Sequence, residues 1–291
     1  MIPGPFAYHR PQSIEEVLAL LGEHGDEAKI LAGGQSLIPL MRFRLAEPGT
    51  LIDINRVPGL DGIGEDNGWL TIGALTRESS IDRSALVRER YPLLADTAKV
   101  IADPLVRNLA TVGGNLAHAD PANDHPATML AYRAVLVVRG PDGERTISID
   151  DFFPGPFEPA LNPGEILTEI RIPAPGARSG GAYEKFERKV GDYAVAAAAA
   201  QLTLAEDGSV AEAGIATTNV SFDLQRCAAA EDLLRDQQPT DEVIRAAAQA
   251  AADAANPTSD LRGPADYKRG VTRTVTRRAL QRALARAQAH S

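Results

Sequence analysis

The sequence predicts an α+β protein laid out in three successive pieces, and three observations predict it. Between Ser13 and Ile54 the apolar pattern alternates between helix and strand. Between Trp69 and Ile172 short β-branched runs enclose helical stretches and one hairpin signal. Beyond a glycine-rich seam at Gly176 to Gly181, strand-like runs give way to helical ones. These shifts divide the chain into pieces 1–57, 58–176 and 177–291.

Ser13 and Glu16 form a capping-box pattern ahead of Val17, Leu18, Leu20 and Leu21, which predicts a helix ending near Gly25. Ala28 to Ala32 is a short apolar strand that runs into Gly33-Gly34, and Leu37 to Leu45 then reads as a short helix. Leu51 to Ile54 is a further strand, closed near Pro58-Gly59. Trp69 to Ala74 predicts a strand and Thr76 a helix cap, with helices over Ile81 to Glu89, Pro92 to Ile101 and about Asn123 to Tyr132. Val135 to Val138 and Arg145 to Ile149 flank Pro141-Asp142-Gly143, a hairpin pattern. Ile166 to Ile172 is a strand stopped by Pro173 and Pro175. Ala194 to Leu204 is ambiguous: five consecutive alanines favour helix, whereas Val195 and Leu202-Thr203-Leu204 allow strand. Glu212 to Val220 reads as strand, and Arg226 to Arg235, Asp241 to Ala254 and Thr274 to Ala287 as helices.

Composition narrows the function. A chain of 291 residues can bury a substantial core. Its net charge of −9 argues against general binding to nucleic acid or anionic membranes, which favour a basic face. No apolar run approaches the roughly 20 residues that span a bilayer, and the N-terminus lacks a signal-peptide pattern. Cys227 is the only cysteine, too few for a disulfide or for the usual thiolate set of an iron–sulfur cluster. A cytoplasmic protein is the expectation. Neither the dinucleotide fingerprint G-x-G-x-x-G nor a P-loop occurs, and no Ser-His-Asp order or H-E-x-x-H helix supports hydrolysis.

Two glycine pairs carry the positive signal: Ile30-Leu31-Ala32-Gly33-Gly34-Gln35-Ser36 and Thr111-Val112-Gly113-Gly114-Asn115. Glycine admits left-handed backbone and close approach to a ligand. Successive N–H groups in such turns, and at a helix start, receive anionic oxygens. One such turn is ordinarily just a tight turn; two, each flanked by Ser, Thr or Asn, suggest a diphosphate held between them.

Both turns resemble the FAD-diphosphate loops of the flavin subunit of molybdenum hydroxylases. The opening Met1-Ile2-Pro3-Gly4-Pro5-Phe6-Ala7-Tyr8-His9-Arg10-Pro11 and the run Leu51-Ile52-Asp53-Ile54-Asn55 add to that likeness, which is greatest to the carbon monoxide dehydrogenase type and covers essentially the whole chain. The resemblance implies a two-lobed FAD-binding domain of the p-cresol methylhydroxylase/vanillyl-alcohol oxidase type. It also implies a C-terminal domain with a three-stranded antiparallel sheet and helices, which makes Ala194 to Leu204 a strand. It implies non-covalent FAD, with contacts at Leu31, Ala32, Gly33, Gly34, Gln35, Ser36 and Leu37, at Ile101 and Ala102, and at Thr111, Val112, Gly113, Gly114 and Asn115. Further contacts are expected at Asp120, Asp124, Leu167, Lys185 and Tyr193.

Some of these residues carry other readings. His118, Asp120, Asp124 and His125 could ligate a metal, or Asp120 or Asn123 caps a helix beside solvated histidines; the resemblance instead gives Asp124 to the hydroxyls of the cofactor's ribityl chain or its neighbouring sugar. By itself Tyr193 is an ordinary half-buried aromatic; the resemblance lays it over the flavin. Lys185 is expected to stabilise negative charge on the reduced ring. Arg107 and Asn108 order the second turn or face a partner.

The function the resemblance implies is electron transfer. A large subunit with molybdopterin oxidises the substrate, a small subunit with two 2Fe–2S clusters relays electrons to this chain, and FAD passes them to an external acceptor. A dimer of heterotrimers is implied, with room for peripheral membrane contact of the complex. Gln35 departs from the histidine typical of the carbon monoxide enzymes, so aldehydes, purines and N-heterocycles stand beside carbon monoxide as substrates of the complex. The alternative functions are a self-contained FAD oxidase or dehydrogenase, which usually adds a substrate domain, and a binding module that has lost its flavin.

Overall fold

A computed structural model describes residues 2–289, so Met1 of the opening motif lies outside them. Three sheets, of three, five and three strands, organise the chain. The first contains β1 (Ala7–His9), β2 (Ala28–Leu31) and β3 (Thr50–Asp53). Both outer strands run parallel to β3, with Ala7 and Ala28 each opposite Thr50. Helix α1 (Ile14–His24) crosses between β1 and β2. Ser13 Oγ accepts from Glu16 N–H at 3.2 Å, but Glu16 returns its carboxylate to Gln12 N–H (2.7 Å) instead of Ser13. Val17 of α1 packs on Ile52, Ile54, Val57 and Leu60, the small core of this lobe. Helix α2 (Leu37–Arg42) follows the first glycine turn and stops short of the expected Leu45.

The second sheet holds β4 (Ile63–Asp66), β5 (Trp69–Gly73), β6 (Val135–Gly140), β7 (Gly143–Ser148) and β8 (Ile166–Pro173), all antiparallel. The hairpin signal is correct: β6 and β7 pair up to Gly140 and Gly143, and Gly143 takes φ +108°. Between β5 and β6 lie helices α3 (Glu78–Arg83), α4 (Ala85–Arg90), α5 (Pro92–Val100), α6 (Pro104–Arg107), α7 (Val112–His118) and α8 (Asp124–Tyr132). The single helix expected over Ile81 to Glu89 is two, because extended Ser84 ends α3 and caps α4 by accepting from Val87 N–H at 3.3 Å. Thr76 is not a helix cap: its hydroxyl donates to Gly62 O at 2.9 Å and accepts from Gly62 N–H at 3.0 Å.

In the third sheet β9 (Ser179–Glu187) and β11 (Val210–Thr218) flank β10 (Ala194–Leu204), so the alanine run is a central strand. Part of the glycine seam is strand as well. A Cβ on Gly180 would stand 2.3 Å from Ala283 O, so the glycine lets a helix backbone lie against β9. After α9 (Ala228–Leu234) and α10 (Asp241–Ala254) comes α11 (Ala265–Ala289), which begins a good two turns before the expected Thr274. Helix α11 covers one face of the sheet, while α5 and α8 cover the other. Asp96 on α5 joins the layers by accepting from Arg282 at 2.9 Å and Arg286 at 2.6 Å on α11.

Candidate functional site

A cavity of about 680 Å³ is walled by residues from all three parts of the chain, those of the second coming from its helices and loops and not from its sheet. From the first lobe come Ala32, Gly33, Gly34, Gln35, Ser36 and Leu37; the second supplies Ile101, Ala102, Thr111, Gly114, Asn115 and Asp124; the third supplies Lys185 and Tyr193. Of the remaining expected residues, Leu31, Val112, Gly113, Asp120 and Leu167 do not line it. Leu31 supports the first turn through its carbonyl, which accepts from Ile54 N–H at 3.1 Å. Val112 and Leu167 are core side chains, and Gly113 is pressed on Ala74, whose carbonyl oxygen a Cβ would meet at 2.6 Å. Asp120 folds back onto Ala122 N–H at 2.9 Å.

The two glycine pairs differ physically. In the first, only Gly34 has positive φ, +71°. Gly33 is needed for proximity, since its Cβ would lie 2.3 Å from Leu109 O. Among the described residues the N–H groups of Gly34, Gln35 and Ser36 have no protein acceptor, so this turn has donors for an anion. The second pair is not a loop but the first turn of α7. Thr111 caps it, accepting from Gly114 N–H at 3.1 Å. Its donors are already used: Val112 N–H goes to Thr76 O (3.1 Å), Gly113 N–H to Ala74 O (3.0 Å) and Asn115 N–H to Thr111 O (3.0 Å). Gly114 instead brings α7 against the first turn, where its Cβ would stand 3.8 Å from that of Ala32. What the second turn offers a ligand is the Thr111 hydroxyl proton and the Asn115 amide, whose Oδ1 is buried without a partner.

At the far end Asp124, Lys185 and Tyr183 form a buried group. Asp124 Oδ1 accepts from the Tyr183 hydroxyl at 2.7 Å and Oδ2 from Lys185 Nζ at 2.9 Å. Lys185 also donates to Val100 O at 3.0 Å and lies 3.6 Å from Glu187 Oε2. Burial, with the adjacent Asp124 charge, pushes the Tyr183 hydroxyl well above its ordinary pKa, so it remains a donor. Lys185 is therefore no isolated positive charge, and both Asp124 oxygens already accept one bond. Tyr193 is half exposed; the Arg262 guanidinium lies 5.5 Å from its ring centroid and donates to Asp192 at 3.0 Å. Arg107 orders the cavity wall by donating to Ile101 O (2.9 Å) and Ala102 O (3.2 Å).

The sequence reading missed His118 as a cavity residue, and with it Phe157, Pro159 and Leu161. The His118 and Phe157 rings are 5.3 Å apart, and burial lowers the His118 pKa. No local signal marks 157–161, which is tied beside the cavity by Phe157 N–H donating to Ala119 O at 2.8 Å. The metal reading finds no support: His125 is bonded to buried Glu78 at 2.7 Å, and among the described residues no group of three or more His, Cys, Asp or Glu could hold a metal ion.

A cavity of this volume, lined by free N–H donors at a glycine turn, an orphaned amide oxygen and a half-exposed aromatic, suits a flavin dinucleotide. The class so defined is a flavoprotein. Family comparison is more specific. Residues 4–175 match the FAD binding domain in molybdopterin dehydrogenase, and residues 181–283 the CO dehydrogenase flavoprotein C-terminal domain. The chain belongs to this family, the FAD-binding medium subunits of molybdenum hydroxylases. It is 46% identical over 272 residues to the carbon monoxide dehydrogenase medium chain of Hydrogenophaga pseudoflava, covering 93% of this chain and 94% of the relative. It is 40% identical to subunit alpha of the 6-hydroxypseudooxynicotine dehydrogenase complex of Paenarthrobacter nicotinovorans, covering 94% and 93%. Among solved structures, a carbon monoxide dehydrogenase from H. pseudoflava lacking the Mo-pyranopterin moiety superimposes with TM-score 0.95 at 48% identity, covering 98% and 99%. Quinoline 2-oxidoreductase from Pseudomonas putida 86 gives 0.91 at 32% identity, covering 100% and 99%. No described helix is long and apolar enough to cross a membrane.

Proposed function

We propose that this chain holds FAD non-covalently in this cavity and serves as the electron outlet of a complex with a large molybdopterin subunit and a small iron–sulfur subunit. The observation that carries it is the pairing of the first turn's free N–H groups with the Thr111 and Asn115 side chains across one cleft. The first turn's N–H groups and the Thr111 hydroxyl would hold the diphosphate, Asn115 would receive the ribityl hydroxyls, and Lys185 and Tyr193 would stand at the ring. Bound FAD supplies the means to take up electrons singly and to release a pair. The protein's part is to place the ring and to exclude water from one face. At the ring end the charged groups are bonded to one another, Lys185 to Asp124 and Arg262 to Asp192. That arrangement suits electron relay better than proton abstraction from a substrate. Relatives named for carbon monoxide, nicotine and glyceraldehyde contain a medium chain of this kind, so the substrate is selected on another subunit. The free, buried Cys227 suits a reducing cytoplasmic compartment.

The test is purification of the complex from its own cells. Flavin absorbance, release of colour by acid, and co-purifying molybdenum and iron–sulfur subunits are expected. Colour that stays with the precipitate overturns non-covalent binding. Rapid reduction by aldehydes or purines of the chain separated from its partners overturns the relay role.

A further inference from the structure

Behind the two glycine turns, away from the cofactor cavity, lies a hydrogen-bonded chain of side chains. Asn55, just after β3, donates from Nδ2 to Ala32 O at 2.8 Å and to Asp53 Oδ1 at 2.7 Å. Asp53 is itself held by Asn55 N–H at 3.0 Å and by the Tyr8 hydroxyl. Arg77 donates from Nη2 to Asn55 Oδ1 at 2.6 Å and from Nη1 to Leu109 O. Its backbone bridges Thr111, between Glu78 N–H to Ala110 O at 3.0 Å and Val112 N–H to Thr76 O at 3.1 Å. Leu109 O is also the atom that a Cβ on Gly33 would meet. The chain thus runs from the carbonyl of one turn, through an amide and a guanidinium, to the carbonyl just ahead of the other, and closes through the Leu109–Gly33 contact.

The residue types match the task. An amide both donates and accepts, so Asn55 can join a carbonyl to a guanidinium; a carboxylate there would oppose both Ala32 O and Asp53. The arginine fork spans two acceptors that one ammonium cannot. Asn55 and Arg77 line a separate cleft and not the cavity assigned to the cofactor. The first turn follows β2 and the second opens α7, and the first lobe's small apolar core reaches the second lobe only through Leu75 and Ile166. Donors to a diphosphate must hold their places within about 0.5 Å. That narrow apolar contact is supplemented by the polar chain, which links one turn to the other directly.

We propose that Asn55 and Arg77 are positioning residues for the diphosphate, a clamp that sets the spacing of the two glycine turns. The proposal rests on the assignment of FAD to the cavity.

The test uses the holoprotein with any subunits that co-purify, as wild type, Asn55→Ala, Arg77→Lys and the double variant. FAD dissociation constants come from flavin fluorescence, and unfolding temperatures are taken on the FAD-free proteins. Each single variant is expected to weaken FAD about tenfold or more. The double should be little worse than the worse single, because both break one chain. FAD-free unfolding temperatures should stay close to wild type. Affinity within about twofold of wild type, additive losses in the double, or FAD loss that follows a fall in FAD-free stability each overturns the clamp. Should Asn55→Ala not fold, Arg77→Lys decides alone by the affinity and stability criteria. Failure of the wild type to hold FAD overturns the cofactor assignment itself, a result distinguishable from wild-type binding with unaffected variants.

Discussion

Gly33→Ala adds one methyl group between the lobes. Its Cβ would lie 2.3 Å from Leu109 O, 2.8 Å from Ala110 Cα and 3.0 Å from Leu109 C, all backbone atoms that no rotamer change can move. The nearest contact is about 1 Å short of a comfortable one. Relief must come from parting the first turn from the segment that leads into α7. The FAD-free chain can relax that way, but a diphosphate bound across both turns has to draw them together again. Overpacking of this kind costs about 1–3 kcal/mol, or roughly 5- to 150-fold in affinity if borne mainly by the bound state. Gly34→Ala is a useful contrast. It forces a side chain to φ +71°, which costs about 1–2 kcal/mol, but its nearest neighbour is the movable Ile38 Cδ1 at 2.7 Å. That cost falls on free and bound protein alike. FAD per chain, measured by absorbance after gel filtration, and the unfolding temperature of each FAD-free protein separate the effects. Gly33→Ala should lose FAD with a modest stability change, and Gly34→Ala should show the reverse balance. Stoichiometric FAD at wild-type affinity in Gly33→Ala would refute the placement of the diphosphate between the turns.

Four further outcomes are expected. Tyr193→Ala should alter the flavin spectrum and weaken FAD by about 0.5–1.5 kcal/mol beyond lost area; an unchanged spectrum places the ring elsewhere. Lys185→Met leaves Asp124 and Glu187 without their cation and should lower the flavin midpoint potential by about 30 mV or more, equivalent to about 1.4 kcal/mol for two electrons; spectroelectrochemistry reads it, and an unchanged value removes Lys185 from the ring's field. The Arg145 hydrogen bonds hold the Glu165 carboxyl at about 2 against an ordinary 4.5. Because the folded value is depressed, the stabilisation is complete above about pH 4.5 and fades as the pH falls toward 2. Glu165→Gln should therefore flatten that limb of an acid-unfolding curve, and a superimposable curve would count against the pair. Burial raises the Cys227 thiol to about 11, so a disulfide reagent should react slowly with native protein and fully in denaturant; rapid native reaction contradicts its burial.

The legible parts of this molecule are those whose cause is local. The Ser13 cap, the Pro141-Asp142 hairpin and the first glycine turn announce themselves within a few residues, and the structure has each of them. The second glycine pair was legible as a motif but misread as a loop, because Thr111 capping α7 looks in sequence like any residue before a turn. Strands β1 and β4 were not foreseen, and β9, implied as the third strand of the C-terminal sheet, was not located. The first two are three and four residues long, and β9 opens on glycines that ordinarily argue against strand. The pairing of Asp124 with Lys185 spans 61 residues of chain, and the Arg77–Asn55 bond spans 22. No periodicity encodes such contacts, so the site's residues could be named without revealing that its charges were already paired.

Strand β10 shows why propensity failed where family likeness succeeded. Ala194, Ala197 and Ala199 belong to the core beneath α5 and α8, whereas Ala196, Ala198 and Ala200 belong to the core beneath α11. The register shift between Ala194 and Ala196 puts Ala194 on the face of Ala197 and Ala199, strict alternation runs from Ala196 to Ala200, and both faces are buried, one against each layer of helices. The neighbouring strands carry the same demand: Gly214 would place a Cβ 2.0 Å from Ala131 O of α8, and Gly180 meets α11 at the opposite face. A β-branched residue, the usual choice for a central strand, would hold these helices too far away. Alanine is the residue that fills a strand without displacing helix backbone. Helix propensity measures exposed peptides and has no term for such crowding. The close approach matters to the site as well, since it fixes α8, with Asp124 at its first turn, against Tyr183 and Lys185 of β9. The run of small residues that misleads a propensity scale is thus part of what brings the third lobe to the wall of the cavity.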